Sequence, residues 1–263
     1  MLSYHNLVDG ILDYLEIMRE NNKNVLPFYT ASATKSEFHI GTVDDVRLEQ
    51  HSIVTSAGRL SPQQAEDALE KIAEQIKLCK NCELYKTRTQ VVPGQGNPCP
   101  ELMFVGEAPG VEEDKQGQSF VGAAGQVLTR LINKMGFTRD EVFIANICKC
   151  HPPGITKANE KPTPEQMKAC IHFLIDQIAI LQPKVIVALG STAVEGLFDL
   201  QVAKITKRRG NWMDFNGIPV MPTFHPSYLL HNRSKELYWQ VWEDMTKVLT
   251  FLNRPIPKID EKR

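Results

Sequence analysis

The chain has 263 residues, of which 42% are apolar and 23% charged, and a formal net charge of −1. That length supports one full hydrophobic core with a small appendage, and the near-zero charge excludes a global basic field, so any nucleic-acid surface must be local. No apolar run is long enough to span a bilayer. Acidic residues among the apolar ones of MLSYHNLVDGILDYLEIMRE argue against a signal peptide, so the expected compartment is the cytoplasm.

Residues 4–20 repeat apolar positions at helical spacing (Leu7, Ile11, Tyr14, Leu15, Met18), which predicts an N-terminal amphipathic helix. From about 22 to 60 the chain is polar and aperiodic and reads as an arm or linker. Ser61-Pro62 supplies the cap and first position of a second helix, which runs to about Leu78 and delivers Cys79 and Cys82. Strands are then expected at Leu102–Gly106, Val142–Ile147, Lys184–Leu189 and Pro219–Phe224. Helices are expected near 124–135, 164–181, 191–198 and 234–252, the second of them opened by Thr163 and Pro164. Alternation of this kind implies an α/β fold whose mostly parallel four-stranded sheet is covered on both faces. The expected divisions are residues 1–60 as helix and arm, 61–253 as the working domain, and 254–263 as a tail.

The most informative stretch is GEAPGVEEDKQGQSFVGAAG, Gly106 to Gly125, at the C-terminal end of the first strand. Open α/β sheets hold ligands at such turns, and this one carries Glu107, Glu112, Glu113, Asp114 and Phe120. The second strand closes around Asn146 and Ile147, and the Asn146 amide can offer one donor and one acceptor to a planar edge such as that of uracil. The fourth leads into His225-Pro226-Ser227-Tyr228-Leu229-Leu230, where a histidine can donate to an oxygen that gains charge during reaction. Each feature alone has a bland reading as a turn glycine, a capping asparagine or a structural histidine. Their convergence on one sheet edge favours a site.

Six cysteines in a cytoplasmic chain of this size suggest metal or redox chemistry before disulfides. The Cys79-x-x-Cys82 pair closes a helix rather than opening one, which argues against a thioredoxin-type motif. With Cys150 and Cys170 it makes a set of four thiolates suited to zinc or to an iron–sulfur cluster. Cys148 is the nearest competitor to Cys150. A basic run of Lys204, Lys207, Arg208 and Arg209 could contact phosphates.

Taken together, these motifs resemble the iron–sulfur, or family 4, uracil-DNA glycosylases over roughly residues 76 to 250. The resemblance rests on Cys79-x-x-Cys82, GEAPGVEED, GQSFVGAAG, Asn146 ahead of Cys150-His-Pro-Pro, Pro162-Thr-Pro-Glu ahead of Cys170, and His225-Pro-Ser-Tyr-Leu-Leu. It implies a three-layer α/β/α sandwich, a [4Fe–4S] cluster on Cys79, Cys82, Cys150 and Cys170, and hydrolysis of the glycosidic bond of deoxyuridine in single-stranded or duplex DNA after base flipping. It further implies that Phe120 stacks on the base, Asn146 binds its edge, Gly106 and Ala108 also contact the base, and His225 stabilises the departing anion. Glu107 and Glu113 match its acidic positions, with the role of each left open. Ser227, Leu229, Leu230, Arg233, Arg208 and Arg209 are the expected DNA contacts, the leucine pair serving as a wedge.

Two departures stand out. Residues 154–161 are longer than the family usually has, with Glu160 where an arginine is typical, and His231 follows the leucine pair where an arginine is usual. A related branch traps DNA covalently through a histidine in a longer insertion. This segment has no histidine and Ala108 replaces that branch's glutamine, so ordinary turnover is expected. The competing readings are that trapping enzyme and a non-catalytic cluster-bearing DNA-binding module. No lysine lies in the GEAPG or His-Pro-Ser motifs, so lyase chemistry is not expected. The enzyme is expected to be a monomer, and the N-terminal extension reads either as a helix packed on the domain with a flexible arm or as a docking segment for a repair or replication partner.

Overall fold

The computed structural model describes residues 59–153, 161–232 and 234–258. The expected helix at 4–20, nearly all of the arm, the 154–160 segment, Arg233 and the last five residues lie outside the described residues. Ser61–Arg263 forms one compact unit.

Helix α1, Pro62–Leu78, starts where the sequence placed it, and its first turn shows why. The Ser61 hydroxyl accepts from the Gln64 amide while the Gln64 side chain accepts from the Ser61 amide, so two of the orphan N–H groups of a helix start are satisfied. Ala65, Ala68, Ile72 and Ile76 recur on its buried face. Two short strands and two helices follow: β1 (Gln95–Gly96), β2 (Leu102–Gly106), α2 (Val111–Gln116) and α3 (Ala123–Lys134). Next come β3 (Phe143–Asn146), α4 (Pro164–Leu181), β4 (Val185–Leu189), α5 (Ser191–Phe198) and α6 (Ile205–Arg208). The unit closes with β5 (Met213–Phe215), β6 (Ile218–Thr223), α7 (Pro226–His231) and α8 (Lys235–Phe251). Helix α4 uses the same reciprocal cap, from Thr163 and Gln166, and packs on α1.

The sheet has six strands in the order β1-β3-β2-β4-β6-β5, not the expected four. The expected strands are the parallel core, and β1 and β5 pair antiparallel at the two edges. Every residue of β2 and of β4 is buried, so both faces of the sheet are covered. Alternate positions explain the two layers: Leu102, Phe104, Ile144 and Val187 share a core with Leu128 and Ile132 of α3 and with Trp242, Met245 and Val248 of α8. The opposite face carries Met103, Val105, Ala145 and Ile186, all fully buried.

Register fixes the functional edge. Gly106 sits opposite Asn146 across β2–β3, and Leu189 opposite Thr223 across β4–β6. The C-terminal ends of all four parallel strands therefore open on one side, the place where sheets of this kind bind ligands.

Candidate active site and thiol pocket

A cleft of about 940 Å³ lies along that edge. Glu107, Ala108, Glu113, Phe120, Asn146, His225, Ser227 and Leu230 all line it, brought together from three strand ends. Gly106 lies beneath them: a Cβ there would come within 2.4 Å of Asn146 Oδ1 and 2.6 Å of Phe120 Cζ. The glycine thus lets the ring and the amide settle side by side over the end of β2.

Asn146 is 1% exposed, and its Oδ1 has no hydrogen-bond partner within the protein. An unpaired buried acceptor costs about 1–3 kcal/mol, so it marks a place where a ligand donor belongs. Phe120 holds a positive φ of 53°, a conformation that strains a residue with an aromatic side chain by about 1–3 kcal/mol. Its ring lies 5.8 Å from that of His225, tilted by 38°.

His225 caps the start of α7: the Ser227 amide donates to Nδ1 at 3.2 Å, and the Ser227 hydroxyl lies 2.7 Å from the same nitrogen. With Nδ1 accepting, the ring proton resides on Nε2. Desolvation, helped by the nearby Lys161 ammonium, lowers the His225 pKa to about 4, so the ring is neutral at physiological pH.

The two acidic candidates differ in their surroundings. Glu113 Oε1 accepts from the Val121 and Gly122 amides at 2.9 and 2.8 Å, tying α2 to the turn that carries Phe120. Glu107 Oε2 accepts from the Thr192 hydroxyl at 2.5 Å, and burial pushes its carboxyl pKa above the usual range. Only Glu113 is bonded to the backbone of the Phe120 turn.

Among the expected DNA contacts, Leu230 lines the cleft but Leu229 does not, although both lie on α7. Arg208 is half-buried at the end of α6, whose Ile205 and Thr206 line the cleft. Arg209 is engaged within the fold. Its Nε and Nη2 bind the carboxylate of the fully buried Asp244 at 3.0 and 2.5 Å, and Nη2 also donates to the Gln240 carbonyl. These bonds make Arg209 part of a structural ion pair with α8. Asp244 in turn accepts from Thr223 at 2.6 Å, just ahead of His225.

Cys79, Cys82, Cys150 and Cys170 line a second pocket, with Ile76, Leu84, Tyr85 and Phe173 as its apolar walls. Cys148 does not line it, although its buried thiol lies beside that of Cys170. Donors point at the sulfurs: Arg88 Nη1 to Cys150 at 3.3 Å, the Lys149 amide to Cys170 at 3.3 Å and the Asn81 amide to Cys79 at 3.5 Å. Such N–H groups stabilise thiolates and are the usual surroundings of iron–sulfur ligands. Among the described residues no three His, Cys, Asp or Glu side chains gather around a single-ion site.

Tyr228 and His231, already part of the motif after the fourth strand, reach the cleft, and so do three residues the sequence did not single out, Lys161, Gly190 and Ser191. Gly190-Ser191 follows a strand end, a signal available from the sequence, whereas Lys161 is brought in only by tertiary structure. Lys149 is 1% exposed and donates from Nζ to the Asn146 carbonyl at 3.0 Å and to Gln177 Oε1 at 2.7 Å. Nothing in the order of residues announces a buried lysine.

The sequence model of the uracil DNA glycosylase superfamily matches residues 93–246. The chain is similar to a type-4 uracil-DNA glycosylase of Thermotoga maritima, 49% identical over 190 residues, which is 72% of this chain and 97% of the relative. A type-4 uracil-DNA glycosylase of Sulfurisphaera tokodaii is 45% identical over 63% of this chain and 77% of its own length. A type-5 uracil-DNA glycosylase of Pyrobaculum aerophilum is more distant, 26% identical over 61% of this chain and 76% of its own.

Proposed function

The chain belongs to the uracil-DNA glycosylase superfamily and groups with its type-4 members, and from that premise we propose how its cleft removes uracil from DNA. The protein is a DNA-repair glycosylase that hydrolyses the bond between uracil and deoxyribose. A base inside a duplex is out of reach, so the target nucleotide is flipped into the cleft. The single observation that carries the reading is the buried, unpaired Oδ1 of Asn146 beside the Phe120 ring. In our assignment the ring stacks on uracil, Oδ1 accepts from its imide N–H, and the amide NH₂ faces its O4.

Breaking the glycosidic bond places negative charge on the base and positive charge on the sugar. A neutral His225 whose Nε2 carries the proton suits donation to uracil O2 as that charge grows. Because the ring starts neutral, it offers a hydrogen bond without surrendering a proton. Glu107 is assigned to the sugar side, where its carboxylate supports the cation or orients the attacking water. Glu113 is assigned a holding role, since two backbone amides already occupy one of its oxygens. Leu230, with Leu229 behind it on α7, is assigned as the wedge that fills the gap left by the base. Ser227, Arg208 and Arg233 complete the proposed DNA contacts.

The thiol pocket suits a [4Fe–4S] cluster held by Cys79, Cys82, Cys150 and Cys170. Support comes from four thiols around shared space and three N–H donors directed at their sulfurs. When bound, the cluster supplies a covalent tie between the end of α1, the segment after β3 and helix α4. In this reading the enzyme acts as a cytoplasmic monomer, in keeping with six free thiols, and residues 1–60 dock a repair or replication partner. No helix of the described residues is long and apolar enough to cross a membrane.

The test is uracil release from a single-stranded oligonucleotide by the wild type, Asn146→Ala and His225→Ala. Release that depends on both side chains is expected. Release unaffected by either substitution would remove Asn146 and His225 from the base pocket, and a covalent adduct on a denaturing gel would replace turnover with trapping.

A further inference from the structure

We propose that Arg139, which lies outside the cleft, is a positioning residue for base removal: it holds the Phe120 ring in its stacking pose by binding the two carbonyls of the turn that carries it. The proposal rests on the assignment of Phe120 as the stacking ring.

Arg139 begins the short 3-10 turn Arg139–Glu141 between α3 and β3. Its Nη2 donates to the Ser119 carbonyl at 2.6 Å, and its Nη1 donates to the Phe120 carbonyl at 3.2 Å and to the Thr129 hydroxyl at 3.0 Å. One guanidinium thus takes two successive carbonyls and anchors them to α3. The next two amides, of Val121 and Gly122, go to the Glu113 carboxylate. The turn is therefore gripped from both sides, by a cation on its carbonyls and an anion on its amides.

The grip is needed because the pose is strained. Phe120 has a φ of 53°, and its carbonyl lies so close to α3 that a Cβ on Gly125 would sit 1.8 Å from it. Without Arg139 the two carbonyls lose their charged partner in a crowded place, where an unpaired acceptor is costly. Returning φ to negative values relieves the strain and swings the ring away from Gly106 and Asn146. Lysine replaces the fork only in part, since a single ammonium lacks the planar pair of donors that spans two carbonyls.

A cycle of Arg139→Met, Phe120→Leu and the double variant tests the idea, read as kcat/KM for uracil release from a single-stranded oligonucleotide, with thermal melting alongside. Arg139→Met is expected to lose ~10- to 100-fold, the scale set by a catalytic group displaced by about 1 Å. The double variant is expected to be no slower than Phe120→Leu alone, because Arg139 acts only through the ring. Arg139→Lys is expected to recover part of the rate, and if Arg139→Met fails to fold, the same cycle run with Arg139→Lys decides. Losses that multiply in the double variant would overturn the proposal, as would a lower melting temperature with unchanged kcat/KM. A wild-type rate for Phe120→Leu would overturn it differently, by removing the ring's role while leaving Asn146 and His225 in the pocket.

Discussion

The base cleft and the thiol pocket meet at one buried segment, Asn146 to Cys150, yet they are built in opposite ways. The cleft is open and keeps hydrogen-bonding capacity in reserve, with the Asn146 acceptor unpaired and the proton of the neutral His225 on Nε2. The thiol pocket has apolar walls, and its polar groups point inward at sulfur. A region that must bind and release a base leaves groups unsatisfied, whereas one that holds a permanent guest satisfies them. Lys149 joins the two: its ammonium bonds the Asn146 carbonyl and its amide faces Cys170.

The contrast predicts that substitutions in the thiol pocket act on stability and those in the cleft on rate. The largest effect is expected for Cys170→Ser, which should cost more than about 4 kcal/mol, the range reserved for loss of a cross-link or metal. Iron content and melting temperature should fall together, and wild-type melting of an iron-free variant would break the comparison. His225→Ala should lower kcat about 10²- to 10³-fold, as removal of a donor from a developing anion does, with melting little changed. A calorimetric scan beside the rate measurement checks both halves.

Arg209→Ala should behave like a thiol-pocket substitution despite its place in the basic run. Leaving Asp244 buried without its cation is expected to cost about 3 kcal/mol, seen in urea unfolding, while single-stranded DNA affinity stays near wild type. The histidine gives a smaller, pH-dependent effect. Its pKa is 6.5 in the unfolded chain and about 4 in the folded protein, so between those values the unfolded state binds the proton and the folded state does not. Stability should therefore fall as pH drops from 6.5 to 4, and less steeply in His225→Gln, as melting across that range would show. The smallest effect is expected for Arg208→Ala, which should reduce the slope of log affinity against log salt by about one phosphate contact.

Much of this was legible because local chemistry and tertiary placement agree. Ser61-Pro62 and Thr163-Pro164 announce their helices through caps that form as the residue types require. The four apolar runs became the four parallel strands, and the strand-end motifs met at one edge because parallel strands must share a direction. The edges were missed for different reasons. Asn216-Gly217, with φ of 52° and 84°, is a hairpin signal that was in plain view between β5 and β6. Strand β1 has two residues and no periodicity to read. Helix α7 is not among the expected helices because its six residues are too few to show a helical repeat, though Pro226 and the His225 cap start it. Charge alone could not separate Arg208 from Arg209, since the partner of the latter is 35 positions away in α8. The roles of Lys149 and Arg139 depend on carbonyls that only folding brings within reach.

The short edge strands have a consequence for how the protein behaves in a crowd. A sheet rim exposes unpaired backbone groups that can recruit a rim from another molecule, and the hazard grows with the length and flatness of the strand. Here the parallel core ends in strands of only two and three residues, one running directly into a tight hairpin. Neither offers a template long enough to propagate. The sheet of the described unit should therefore not seed polymerisation, even at concentrations where a blunt four-stranded sheet would.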